Sequence, residues 1–312
     1  MKKSFVFMLV SAILYAICTP LTKVFLGDLP PIFLSGITYL GGALGMAIIF
    51  LILRLTKKDK DELLKGKDFV YVGIINIVDT VSCYLLFYGI SLISSEQASL
   101  LQSFEVVSTA IIAFFVFKEK ISWRLLLAIL FLLGGSIILS IDFSKTMTFE
   151  PGALFVLAGV GLFGISNNVI KKVSSKDSIE FTIFKCLVPG ILLTTFSFIS
   201  GSYKFNWSYI TYAMLGGFVS FGISVFFYAL AVRKLSAALG TTVFSSNPFF
   251  AAIISLIVFK NVPAWNFYLS LALLIIGEVF AAFDSLNNEK LEGKKLCENT
   301  SKSNQKMENS SS

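Results

Sequence analysis

Stretches of about 20 apolar residues recur along this whole chain, and no other feature constrains its fold so tightly. At 1.5 Å of rise per residue, each is long enough to cross the roughly 30 Å hydrocarbon core of a bilayer as an α-helix. Ten lie at 4–24, 32–53, 69–91, 95–117, 123–141, 152–171, 179–200, 207–232, 236–259 and 264–284. Only 14% of the 312 residues are charged, where a soluble domain has about a quarter, and the mean hydropathy is +0.81. A soluble domain, a secreted disulfide scaffold and a disordered chain are excluded. A transmembrane β-barrel would show short alternating segments in place of unbroken apolar runs. The predicted fold class is an all-α integral membrane protein with ten transmembrane helices.

Punctuation between the runs supports the count. Pro30-Pro31, the charged run from Lys57 to Asp68, Lys118-Glu119-Lys120, Pro151-Gly152, Lys171 to Asp177 and Pro263 all fall between spans. Pro151 and Pro263 stand where a helix begins, a position that needs no backbone donor. Met1-Lys2-Lys3 before an apolar run has the outline of a signal peptide, but the small residues of a cleavage site are missing ahead of Cys18. The first run is predicted to be a helix that stays.

The lysines orient the chain. With the N-terminus cytoplasmic, segments on that side carry 21 of the 26 Lys and Arg, those on the other side carry 4, and Lys185 lies inside the seventh span. By the positive-inside rule both termini are cytoplasmic, in a multi-pass protein of the cell (inner or plasma) membrane. The same bias explains the sequence pI of about 9.1 without a nucleic-acid partner. The implied partners are the lipid bilayer and a small-molecule substrate; a homodimer stays open. Residues 285–312 are polar and charged and are predicted to be a disordered cytoplasmic tail.

Histidine is absent, so proton chemistry in the membrane falls to carboxylates, lysine or tyrosine. Cys18, Cys83, Cys186 and Cys297 have no metal-ligand spacing, and no cofactor or metal is predicted.

The chain also repeats. Val116-Phe117-Lys118, Trp123, Leu127, Leu132, Gly135 and Asp142 recur, 142 positions on, as Val258-Phe259-Lys260, Trp265, Leu269, Leu274, Gly277 and Asp284. Phe87-Tyr88 and Phe227-Tyr228 match at a slightly smaller offset, and Lys23 matches Lys171 more loosely. The chain therefore divides into a five-helix half at 1–142, a linker at 143–151 and a second half at 152–284. Five is odd, so the second half must enter the membrane from the opposite face. Such inverted repeats are the architecture of carriers that expose one central site to either side in turn.

These ten spans, with Ser103-Phe104-Glu105-Val106 and Phe117-Lys118-Glu119-Lys120-Ile121-Ser122, resemble the EamA group of drug/metabolite transporters. Val106 departs from a proline common there, which Asn247-Pro248 keeps in the second half; Lys260-Asn261 lacks the closing glutamate that Glu119 supplies in the first. The resemblance implies a basket of helices around a central cavity, with the fifth and tenth helices peripheral. Its substrates run from amino acids and drugs to sugars and vitamins such as riboflavin.

Charges within spans are costly, which makes each one a candidate. Asp79, Glu105 and Asn247 are central in the third, fourth and ninth spans, and polar stripes accompany them at helical spacing: Asn76, Asp79 and Cys83; Ser99, Gln102, Glu105 and Thr109; Ser11, Tyr15 and Thr22; Ser220, Ser224 and Tyr228. Glu105 with Asp79 is the candidate coupling site, and Tyr15, Asp79, Gln102, Glu105, Ser224 and Asn247 the candidate substrate contacts. A structural hydrogen bond between helices is the competing role for each. Lys185 and Glu278 lie at matching depth, which leaves two readings of equal standing: a salt bridge between them, or snorkelling of Lys185 to the interface. Phe87, Phe163, Phe227 and Phe244 are candidates for stacking on a planar substrate. The small-residue spacings Gly41/Gly45 and Gly216/Ser220/Ser224 predict close helix approach.

The functional reading is a secondary transporter, not an enzyme, moving a small organic metabolite such as a riboflavin-type vitamin or an amino acid. An exporter of amino acids or drugs on the same fold is the alternative. A membrane-embedded lipid enzyme and a channel rank lower, because the acids are scattered and no selectivity filter is recognisable.

Overall fold

Proline, serine and asparagine caps divide the chain into helices much as the apolar runs predict. The computed structural model describes residues 2–55, 63–118, 122–142, 148–170, 177–232, 243–284 and 287. The first span is two helices, Lys2–Ala16 and Cys18–Phe25. Pro20 has no amide hydrogen to give the Ala16 carbonyl, so the ladder is interrupted at Ile17 and resumes with Leu21 N–H on Ile17 O at 3.1 Å. The second and third spans are Pro31–Leu55 and Asp68–Leu92. The fifth, Trp123–Leu139, starts where Ser122 Oγ accepts the Leu125 amide; the seventh, Ser178–Ile199, starts where Asp177 accepts the amides of Ile179 and Glu180. The sixth opens on Pro151 and runs to Ile170, and the tenth is Trp265–Asp284.

Three spans depart from a single regular helix. The fourth is Ser95–Leu101 followed by Phe104–Phe117, broken at Gln102 and Ser103. The eighth runs Trp207–Gly217, widens to a π-helical turn at Phe218–Ile223, and continues as Ser224–Val232. In the ninth, a short helical turn at 243–244 precedes the helix Asn247–Phe259, where Pro248 occupies the first turn. Eight segments are long and apolar enough to cross a bilayer; the fifth and the described part of the ninth are shorter apolar helices. The multi-pass membrane reading of the sequence thus stands.

Ile141 and Asp142 pair antiparallel with Phe149 and Thr148, in the one strand ladder among the described residues. The polar tail, residue 287 aside, lies outside the described residues.

Small residues set the packing. The second span crosses the seventh and eighth, the third packs on the sixth, the first on the eighth, and the fourth on the sixth and ninth. A Cβ at Gly41 would strike the Met214 carbonyl and one at Gly217 the Thr38 carbonyl, so these backbones touch directly. In lipid, where tails are as apolar as side chains, such close contact and interhelical hydrogen bonds hold helices together. The outer surface is apolar: Ile48, Ile77, Phe115, Ile199 and Ile257 are all exposed, the side expected to meet acyl chains.

Candidate functional site

The breaks in the fourth and ninth spans fall at matching positions. Both second segments end at a lysine in the left-handed conformation, Lys118 with φ 55° and Lys260 with φ 53°. Counting back the same distance from each reaches Glu105, in the first turn of Phe104–Phe117, and Asn247, which opens Asn247–Phe259. Discontinuous helices cluster at the midplane sites of carriers, because irregular backbone in a membrane is tolerated only where protein or a cavity satisfies it.

Glu105 occupies the centre of the bundle. Its Oε1 accepts a 2.5 Å hydrogen bond from Asn167 Nδ2 of the sixth span. Asp79 of the third and Lys185 of the seventh lie within electrostatic range of it, as do Tyr15 of the first, Tyr228 of the eighth and Glu278 of the tenth. Glu105 is nevertheless only half-buried. A side chain ringed by six other spans yet accessible on one side faces an internal opening, not lipid. Tyr15, Asn167, Lys185, Tyr228 and Phe244 are half-buried in the same way. Phe244 bridges the two tyrosines, its ring centroid 5.3 Å from Tyr15 and 5.1 Å from Tyr228.

Asp79 is fully buried, and its Oδ2 lies 3.5 Å from Lys185 Nζ. The Ser166 hydroxyl stands beside this carboxylate without completing a hydrogen bond. The pairing corrects the sequence expectation for Lys185. Glu278 Oε1 is buried with no hydrogen-bond partner, and the lysine reaches across to the third span instead of snorkelling or bridging to the tenth. The two were matched on depth along their helices, but azimuth decides a pair, and depth carries no azimuth.

The remaining candidates have protein partners. Gln102, at the break, donates from Nε2 to Thr19 Oγ1 at 2.7 Å, tying the fourth span to the first. Ser224 Oγ donates to Ser11 O at 2.9 Å while Ser11 Oγ donates to Ser224 O at 2.7 Å, a reciprocal clasp between the first and eighth spans. Asn247 is buried and donates to Phe244 O at 2.9 Å, bracing the turn that presents the Phe244 ring. Of the four candidate phenylalanines, Phe87 and Phe163 are buried in apolar clusters, Phe227 packs on Phe7, and Phe244 reaches the opening. Asn167 was missed from the sequence. Its signal was an Asn pair, Asn167-Asn168, inside an otherwise apolar span.

Polar contacts gather at one end of the bundle. Lys23 Nζ donates to the carbonyls of Ile90 at 2.8 Å and Ser91 at 3.2 Å, and to Ile93, capping the C-terminal end of the third span. Next to it Asn261 donates to Glu96 Oε1 at 3.2 Å, and Gln97 donates to both Leu139 O and Glu150 Oε2. A small cleft beside Cys18, Thr22, Thr38 and Ser220 has a cavity volume of about 10 Å³, far too little for a small-molecule ligand.

The EamA-like transporter family model matches residues 2–141 and 150–283. An uncharacterized transporter of Clostridium kluyveri is 25% identical over 96% of this chain and 99% of its own length. One from Methanothermobacter thermautotrophicus is 22% identical over 82% and 79%. An uncharacterized solute carrier family 35 member of Schizosaccharomyces pombe is 25% identical over 58% of this chain and 38% of that protein. A crystal structure of a protein superposes with a TM-score of 0.66, covering 91% of this chain and 97% of the other at 15% identity, which makes it a likeness of fold.

Proposed function

Because the chain belongs to the EamA-like transporter family, we propose that it is a secondary carrier moving a small organic metabolite across the cell membrane by alternating access. The site is the central opening at Glu105, and the ten spans act as two inverted five-helix halves, 1–142 and 152–284, with both termini cytoplasmic. One observation carries this reading: the fourth span is interrupted at Gln102–Ser103 and the ninth at 245–246, just ahead of the matching residues Glu105 and Asn247, and both helices then end on a left-handed lysine.

The packing supports the two-fold relation. Exchanging the halves turns the third-on-sixth contact into the eighth-on-first and the second-on-eighth into the seventh-on-third, and all four contacts exist. Fourth-on-ninth maps onto itself, as does fifth-on-tenth, where Gly135 faces Leu274 and Gly277 faces Leu132. The family match falls in two stretches that divide the chain at the same place. A pair of packings related by such an axis presents one site to either face, and in this reading the polar contacts around Lys23 seal one end.

Glu105, with Asp79 behind it, is the coupling group in this reading, and Tyr15, Gln102, Ser224 and Asn247 shape the cavity around the substrate. An amino acid or a riboflavin-type vitamin is the candidate substrate. The test is counterflow in proteoliposomes, screening riboflavin and the amino acids as radiolabelled solutes. Saturable flux accelerated by solute on the opposite face is expected of a carrier. Flux that never saturates would make the protein a channel, and chemical conversion of the solute would make it an enzyme.

A further inference from the structure

We propose that the central cavity is a cation site: its ligand is an organic monocation, an amine on an apolar or aromatic body, with the ammonium against Glu105 and the body against Tyr15, Phe244 and Tyr228. The inference rests on the carrier reading for the location of the site and deepens it by naming the substrate class.

Charge comes first. Asp79, Glu105 and Glu278 are three carboxyl groups in one neighbourhood, and among the described residues Lys185 is the single ammonium that faces them. Lys185 is already held by Asp79 at 3.5 Å. Glu105 hydrogen-bonds the neutral Asn167 amide, which satisfies an oxygen but supplies no charge, and it shares the field of Lys185 with Asp79. An ionised carboxylate in a membrane interior is costly without a counter-charge. A ligand ammonium supplies one; an anionic ligand would add to the imbalance. A neutral heterocycle would leave it as it stands.

Shape comes second. The rings beside Glu105 arrive from the first, eighth and ninth spans and form a continuous edge: Tyr15 to Phe244 at 57° between planes, Phe244 to Tyr228 at 72°. Tyr15 also meets Phe221 edge-on, with 5.6 Å between centroids. Ring faces attract cations through their quadrupole, and their bodies cover apolar surface. Three half-buried rings next to an unbalanced carboxylate therefore suit an amine with an apolar body. The zwitterion of an amino acid fits less well, because its carboxylate would enter a cavity where acids outnumber bases.

The experiment is isothermal titration calorimetry of the full-length purified protein with three near-isosteric probes: 2-phenylethylamine, phenylalanine and 3-phenylpropionate. The amine is expected to bind at least ten times more tightly than either of the others. Glu105→Gln keeps an acceptor for Asn167 and should lower amine affinity tenfold or more with an unchanged melting temperature. Tyr228→Leu should lower it about fivefold. Equal or tighter binding of phenylalanine or phenylpropionate, or no binding of the amine, overturns the proposal. Counterflow separates the two readings. Phenylalanine counterflow indifferent to Glu105→Gln would overturn the cation site and leave the carrier standing, whereas amine binding without counterflow of any solute would do the reverse.

Discussion

Lys185 of the seventh span and Asp79 of the third form an ion pair, 3.5 Å from Nζ to Oδ2, in which Asp79 has no accessible surface and the Lys185 side chain retains 19% of its own. Removing one member strands the other. Lys185→Met should cost about 3 kcal/mol, the lower end of the range for a broken buried pair because the lysine is partly accessible. Adding Asp79→Asn to it should recover most of that loss. Thermal melts of the two single variants and the double in detergent measure the coupling directly; additive losses would show that the two charges act independently.

Glu105→Gln should fold normally, since glutamine still accepts from Asn167. Transport that depends on a pH gradient should disappear, because an amide cannot take up and release a proton. Uptake into proteoliposomes with and without an imposed gradient reads this, and an unchanged gradient dependence would remove Glu105 from the coupling role.

Lys23 is the donor for three carbonyls at the end of the third span. Lys23→Met leaves them unpaired in a half-buried position, at a cost of about 1–3 kcal/mol. Hydrogen exchange should rise at residues 88–94 before it rises elsewhere. Protection there equal to that of the wild-type chain would mean that water already serves those carbonyls.

Two glycines separate packing from helix propensity. A methyl at Gly217 meets the Thr38 carbonyl, which no rotamer change can move, so Gly217→Ala should cost about 2 kcal/mol. At Gly134 an added Cβ meets nothing within 4 Å, and Gly134→Ala should be neutral or stabilise by up to about 1 kcal/mol. Paired denaturation curves compare them, and equal losses at both sites would contradict the backbone contact.

The clasp between Ser11 and Ser224 is worth little by itself. Ser224→Ala should cost about 0.6 kcal/mol, the average for interhelical hydrogen bonds in a membrane. If Ser224 also meets substrate, the half-saturating solute concentration should rise several-fold beyond that small loss; an unchanged value would assign the hydroxyl to the clasp alone.

The apolar helices of a multi-pass membrane protein were legible in the sequence because each is a local consequence of apolar length and of breaking residues such as Pro31 and Pro151. Asp79 and Glu105 stood out as well, since a carboxyl group in an apolar run is costly wherever the run ends up. The sequence marked Glu105 and Asn247 as central polar residues of the fourth and ninth spans. It could not show that the fourth helix breaks at Gln102–Ser103, where the Gln102 side chain reaches Thr19 of another span. Partners were the part decided by tertiary structure. Lys185 chose Asp79 over Glu278, Asn167 met Glu105, and Phe244 alone among four candidate rings joined the tyrosines at the opening. A sequence read one span at a time fixes depth, through 1.5 Å of rise per residue, but leaves the rotation of each helix about its axis free. In lipid, where every apolar face is equally content, only the contacts between spans set that rotation, and with it the chemistry of the site.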